Sequence, residues 1–230
     1  AEESLVSRAT SLLRQITGCS EGATIEVNKR IPLLSGLGGD SSDAAATLRG
    51  LNRLWGLGLS TQKLLELARQ LGSDVAFFLS GGTALVEGRG EIVTPLPPCP
   101  HRWVVLAVPT VARLPGKTKR LYDSLGVNHY TDGQITRRLV KALEEDRELT
   151  PSLLFNTFEN VAFTRFSGLG VSRSHMEKMG VHDVHLAGSG PVLFTLVKDK
   201  LGAEELCGLL RKQRLEPYLA ETLAGMEKIE

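Results

Sequence analysis

The sequence predicts an α+β protein built as two domains, and three observations carry that expectation. Apolar residues recur at helical spacing in some stretches and alternate in others, with helical stretches separating short strands. The only proline-rich segment, Pro95, Pro97, Pro98 and Pro100, stands near the middle of the 230 residues and reads as a linker. The parts on either side, residues 1–98 and 99–230, are each of ordinary domain size.

In the first part, Leu5, Val6, Ala9, Leu12, Leu13 and Ile16 share a helical face, so residues 3–17 form an amphipathic helix stopped by Gly18. Residues 24–30 alternate Ile25 and Val27 with polar neighbours and are expected as a strand. The run following Asp43 is a helix that Gly56 and Gly58 close. Ser60 caps another, with Leu64, Leu65, Ala68 and Leu71 on its buried face and Gly72 past its end. After Gly81 and Gly82, residues 83–86 and 91–94 read as a hairpin around Gly88, Arg89 and Gly90.

The second part restarts with an apolar strand at 103–108. A short helix is expected at 117–125, and a stronger one at 132–145, where Ile135, Leu139, Ala142 and Leu143 fall at helical intervals. Further helices are expected at 152–166, 172–179 and 203–213, strands at 183–186 and 192–197, and an edge strand among the last residues. Strands separated by helices in a part of this size fit a two-layer α+β domain.

Composition removes several classes of function. A net charge of +1, with no basic stripe interleaved with aromatics, gives no case for a nucleic-acid partner. No apolar run reaches the roughly 18 residues of a membrane span, and the leading residues do not resemble a signal peptide, so the expected compartment is the cytoplasm. Cys19, Cys99 and Cys207 are odd in number, far apart and without a CxxC pair; they are expected as buried small hydrophobes in a reducing environment. His182 and His185 have no further ligands at metal spacing.

The stretch richest in chemistry is 31–48, IPLLSGLGGDSSDAAATL. Gly36, Gly38 and Gly39 allow close main-chain approach, Ser41, Ser42 and Asp43 are helix-starting residues, and a helix follows. A glycine turn emptying onto a helix N-terminus presents free N–H donors and a partial positive charge to an anion. It is not a Walker loop, which needs a lysine absent here, nor a dinucleotide fingerprint, whose last glycine is replaced by Ser41. Asp74 follows the helix-ending Gly72 and precedes the apolar run Val75, Ala76, Phe77, Phe78 and Leu79. From the residues alone, Asp74 is either the cap of a short helix or a carboxylate held at the edge of an apolar wall.

The pattern Pro-x-x-x-Gly-Leu-Gly-Gly-x-Ser-Ser-x-Ala-Ala resembles the second signature of the GHMP small-molecule kinases. The longer stretches KRIPLLSGLGGDSSDAAATLRGLNRLWGLGLS and LARQLGSDVAFFLSGGTALVEGRGE strengthen the likeness. It implies an N-terminal domain like domain 2 of ribosomal protein S5, here incomplete, followed by a ferredoxin-like C-terminal domain. It also implies ATP and Mg²⁺, with Pro32, Leu33, Leu34, Ser35, Gly36, Leu37, Gly38, Gly39, Asp40, Ser41 and Ser42 as the ATP-binding loop. Asp40 stands where the family frequently has glycine, and the preferred expectation is that its carboxylate points outward, away from phosphate. By resemblance, Asp74 is the catalytic base that takes the proton of the acceptor hydroxyl; Ala76 stands where the family more often has proline.

The same likeness makes Gly188, Ser189 and Gly190 part of a third signature that shapes the cleft, against the bland reading of an ordinary hairpin turn. It places Thr110 and Tyr122 near the acceptor, with Tyr122 equally readable as a packing residue, and gives Asn156 and Glu159 a structural role. The implied reaction moves the γ-phosphate of ATP to the 2-hydroxyl of a cytidine-diphosphate-linked methylerythritol. Two rivals stay open: a homoserine- or mevalonate-type kinase with the same loops, or a nucleotide-binding remnant without turnover. The second arises because the family's first signature, with its Pro-x-Lys, has no match among the leading residues, where no lysine precedes Lys29. A first domain lacking its leading strands is expected to expose a sheet edge. The magnesium ligands and the oligomeric state stay open.

Overall fold

The computed structural model describes residues 4–109, 116–213 and 215–223. The chain divides into two compact units: residues 4–31 and 38–97 make one, residues 32–37 and 98–223 the other.

The first unit is a helical cluster with a hairpin. Helix α1, Leu5–Thr17, starts where Ser4 Oγ accepts a hydrogen bond from the Ser7 N–H (3.1 Å) and ends at Gly18 in the left-handed conformation. Helix α2, Gly39–Leu54, presents Ala44, Ala45, Leu48 and Leu51 to the core; three of its first helical positions after Ser42 are alanine, which lets neighbours approach closely. Helix α3, Thr61–Leu71, is capped by Ser60 Oγ accepting from the Lys63 N–H (3.2 Å) and buries Leu64, Leu67, Ala68 and Leu71. Helix α4, Val75–Ser80, buries Val75, Ala76 and Leu79 among them. Strands β1, Ala84–Glu87, and β2, Ile92–Pro95, form an antiparallel hairpin.

Residues 24–30 do not form the strand their alternation suggests. Alternation marks a segment with two unlike faces, but a strand also needs a neighbour to complete its ladder. Among the described residues of this unit β1 and β2 pair with each other, so 24–30 has no partner strand. Its apolar side chains are partly exposed accordingly, Ile25 at 39% and Val27 at 38%.

The second unit is built on a four-stranded antiparallel sheet. Its strands are β3 (Trp103–Val108), β4 (His185–Leu186), β5 (Leu193–Val197) and β6 (Glu216–Glu221), in the spatial order β4-β5-β3-β6. Apolar Trp103–Val108 is central because it is paired on both sides, Trp103 facing Val197 on β5 and Glu221 on β6. Helices α5 (Lys117–Tyr122), α6 (Gln134–Glu144), α7 (Glu159–Arg165) and α8 (Ser167–Lys178) lie between β3 and β4, and α9 (Lys200–Lys212) lies between β5 and β6. The β-α-β-β-α-β order with this strand arrangement is ferredoxin-like. Val105, Ala107, Leu169, Met176, Leu186, Leu193 and Leu210 fill one core between sheet and helices.

Two local expectations change. Residues 152–166 are not one helix: Pro151–Leu153 makes a 3₁₀ turn and α7 begins only at Glu159. Asn156 interrupts the run, since its side chain accepts from the Phe158 N–H (3.0 Å) and competes with helical bonding. Of the cysteines, Cys207 is buried in the second core, while Cys19 and Cys99 are only half-buried.

Candidate active site

The glycine-rich loop has two parts that do different things. Pro32–Leu37 belongs to the second unit, where Leu34 adopts a positive φ of 54° and Ser35 is buried. Gly36, with φ of 80°, lies directly against the turn formed by Ala187, Gly188 and Gly190. A Cβ on Gly36 would sit 2.8 Å from the carbonyl oxygens of Ala187 and Gly190, and one on Gly188 would sit 2.8 Å from the Gly36 oxygen. The two glycine motifs of the sequence therefore meet backbone to backbone, which only residues without a side chain permit.

From Gly38 onward the loop belongs to the first unit. Gly38 is the N-cap of α2 in the left-handed conformation, and its side-chain position would fall 2.6 Å from the Phe78 ring. With glycine at the cap, no side chain bonds back to the helix start. The N–H groups of Gly39, Asp40 and Ser41 have no acceptor within the helix, and together with the helix field they face whatever anion approaches. Ser42 Oγ donates to the Gly39 carbonyl (2.8 Å), and the Ser42 N–H to the Gly38 carbonyl (2.9 Å), which fixes the first turn.

Asp40 is 62% exposed, and its carboxylate accepts a hydrogen bond from the Lys29 ammonium; Asp43 does the same from one turn further on. The pair holds the Lys29 ammonium above its ordinary pKa, Asp40 contributing most and Asp43 next. Lys29 also lines a concave surface with Asp40, Asp43, Thr10 and Val27. The alternation over 24–30 predicts a strand for Lys29 and gives no sign of this trio. Nothing in the spacing of 29, 40 and 43 marks an ion pair across an irregular loop.

Asp74 precedes α4 as its N-cap residue, yet its side chain makes no capping hydrogen bond. Asp74 is exposed and does not serve as a side-chain cap. Phe78, whose ring crowds Gly38 at the start of α2, is one helical turn after Asp74. The Arg49 guanidinium on α2 donates to the Leu79 carbonyl and ties the two helices together.

In the second unit, the turn at 187–190 is braced from several sides. The Gly190 N–H donates to the Ala187 carbonyl (2.7 Å) and the Ala187 N–H to the Val192 carbonyl (2.9 Å). Asn156 Nδ2 donates to the carbonyls of Leu186 (2.8 Å) and Gly188 (2.7 Å), and Glu159 Oε1 accepts from the Leu186 N–H (2.7 Å). The hydroxyls of Ser189 and Thr118 are 2.9 Å apart. Tyr122 packs edge-on against Phe158 (centroids 4.9 Å apart) while remaining 58% exposed, so it combines a packing face with a free one. Thr110 lies outside the described residues.

Among the described residues no cluster of three His, Cys, Asp or Glu side chains is arranged to hold a metal ion. His185 Nδ1 faces Glu159 at 3.7 Å instead. No helix among the described residues is long and apolar enough to cross a membrane.

A family profile described as "GHMP kinases N terminal domain" matches residues 4–82. A 4-diphosphocytidyl-2-C-methyl-D-erythritol kinase of Dehalococcoides mccartyi is 46% identical over 99% of this chain and 80% of its own length. One from Symbiobacterium thermophilum is 39% identical over 96% of this chain and 78% of its own. Among solved structures, a 4-(cytidine 5'-diphospho)-2C-methyl-D-erythritol kinase superposes with a TM-score of 0.79 at 31% identity, covering 98% of this chain and 79% of that one. A homoserine kinase from Cytophaga hutchinsonii has the same TM-score of 0.79 at 20% identity, covering 98% of this chain and 78% of its own, a likeness of fold alone.

Proposed function

The chain belongs to the GHMP kinases, in the 4-diphosphocytidyl-2-C-methyl-D-erythritol kinase family, and on that premise we propose that it transfers the γ-phosphate of ATP to the 2-hydroxyl of that acceptor. The chain is a small-molecule kinase of isoprenoid precursor synthesis. The finer assignment of donor, hydroxyl and residues is our reading, and one observation carries it: α2 opens at an uncapped Gly38 whose following N–H groups are unfilled, beside a helix headed by a carboxylate with no capping role.

In this reading the N–H groups of Gly39, Asp40 and Ser41 receive the phosphates of ATP. The acceptor oxygen attacks the γ-phosphorus as the bond from that phosphorus to the bridging oxygen breaks, and ADP departs with the electron pair. Asp74 takes the proton that the acceptor hydroxyl loses. The transition state of such transfers is loose, so the protein contributes mainly position and charge. The part of Gly188, Ser189 and Gly190 in shaping the cleft, and of Tyr122 and Thr110 in contacting the acceptor, is proposed from resemblance alone. The proposed domains are 1–98 and 99–230.

Magnesium beside ATP is carried chiefly by the phosphates and water, with one or two protein oxygens. Of the two serines at the helix start, Ser42 is committed to the Gly39 carbonyl, which leaves the Ser41 hydroxyl as the group to reach it. When bound, the ion neutralises charge on the β- and γ-phosphates.

The test is turnover of ATP with the cytidine-linked acceptor, read as acceptor phosphorylation, beside homoserine and mevalonate. Phosphorylation of the cytidine-linked acceptor alone is expected. Preference for either competitor overturns the acceptor assignment, and ATP binding without any turnover overturns the kinase reading.

A further inference from the structure

Asp40 poses a problem for any anion site at the start of α2. It is the second residue of the helix, where a carboxylate is favoured by the same field and N–H donors that attract a phosphate. Left to itself it is an internal rival for the site. Asp43 adds a second negative charge one turn along the same flank. Lys29 is bonded to both carboxylates at once. Its side chain is 34% exposed, and it reaches them from a segment, 24–30, that makes no ladder of its own.

We infer that Lys29 is a positioning residue for nucleotide binding: it holds Asp40 away from the N–H groups of its own helix and halves the negative charge beside them. The inference rests on the reading of the start of α2 as the phosphate site. Without Lys29 the Asp40 carboxylate turns onto the helix N-terminus, and two uncompensated charges repel the incoming phosphates.

Steady-state kinetics of the full chain, with the cytidine-linked acceptor saturating and ATP varied, test it. Lys29→Met is expected to raise KM for ATP about fivefold, the order of one lost compensating charge at a partly exposed site, with the change falling on KM rather than kcat. The rise shrinks at higher salt. Lys29→Arg restores the parent value, and adding Asp40→Asn to Lys29→Met brings KM back to within about twofold, because the rival is then neutral. Asp40→Asn alone lowers KM for ATP, and this variant answers the question even where Lys29→Met fails a thermal-unfolding check.

A double variant as weak as Lys29→Met overturns the inference, for Lys29 then contacts the nucleotide itself. A Lys29→Met protein with parental KM overturns it too, as does an Asp40→Asn protein whose KM stays put. Failure of the underlying reading looks different: a folded Gly38→Val protein with parental ATP affinity removes the phosphate site and leaves the ion pair a structural detail.

Discussion

The two glycine turns of this chain are alike in composition and opposite in construction. At Gly38 the chain enters a helix with no side-chain cap, and the N–H groups that follow have no partner in the helix. At 187–190 the main chain is bonded to itself, to Asn156 and to Val192, while Glu159 holds the neighbouring Leu186. One turn opens a helix without a side-chain cap, and the other is braced through its carbonyls and two of its N–H groups. Glycine content alone therefore does not say what a turn does; the two differ in the bracing that the fold puts around them. The open turn suits ligand contact, and the braced turn suits fixing the shape against which Gly36 rests.

Substitutions can sharpen that contrast. The largest effect is expected outside both turns: Asp74→Asn lowers kcat about a thousandfold, the middle of the range for a lost general base, with ATP affinity nearly intact. Equal turnover in variant and parent removes Asp74 from the mechanism. Next, Gly38→Val weakens ATP binding about thirtyfold through lost main-chain contacts, read by calorimetry. The Phe78 ring, 2.6 Å from the new side chain, must shift, so thermal unfolding accompanies the measurement.

The braced turn answers through stability instead. Asn156→Ala removes donors to two carbonyls and is expected to cost about 2 kcal/mol in denaturant unfolding, with a smaller effect on ATP affinity than Gly38→Val. The reverse ranking would break the contrast. Smallest is Thr118→Val, which deletes an exposed hydroxyl pair with Ser189 and costs about 0.5 kcal/mol. A large loss of turnover there would give the second turn a direct part in catalysis.

Much of this was legible in the residues because it depends on local chemistry. The periodicity of Leu5, Ala9 and Leu13 and the glycine at 18 mark α1, and Ser60 announces α3. The glycine loop and its helix are a local device too, so their spacing suffices to find them. What the residues did not show depends on partners far away in the chain. Ile25 and Val27 alternate like a strand, but alternation says nothing about whether a neighbour exists. The bracing by Asn156 spans from 156 to 186 and 188, and the Lys29 trio crosses the loop itself. Asp74 is intermediate: the sequence posed the choice between cap and base, and the absent capping bond removes one support for the first.

The register of β3 sets an order on synthesis. Trp103 pairs with Val197 on one side and Glu221 on the other, so the strand at the middle of the sheet leaves the ribosome long before either neighbour exists. Helices of the first unit close over short sequence distances, whereas this sheet must wait for β6. Pairings so distant fold slowly. A nascent chain halted before Glu216 would hold an apolar central strand with one flank bare, the state in which chaperones and unwanted strand pairing compete for it.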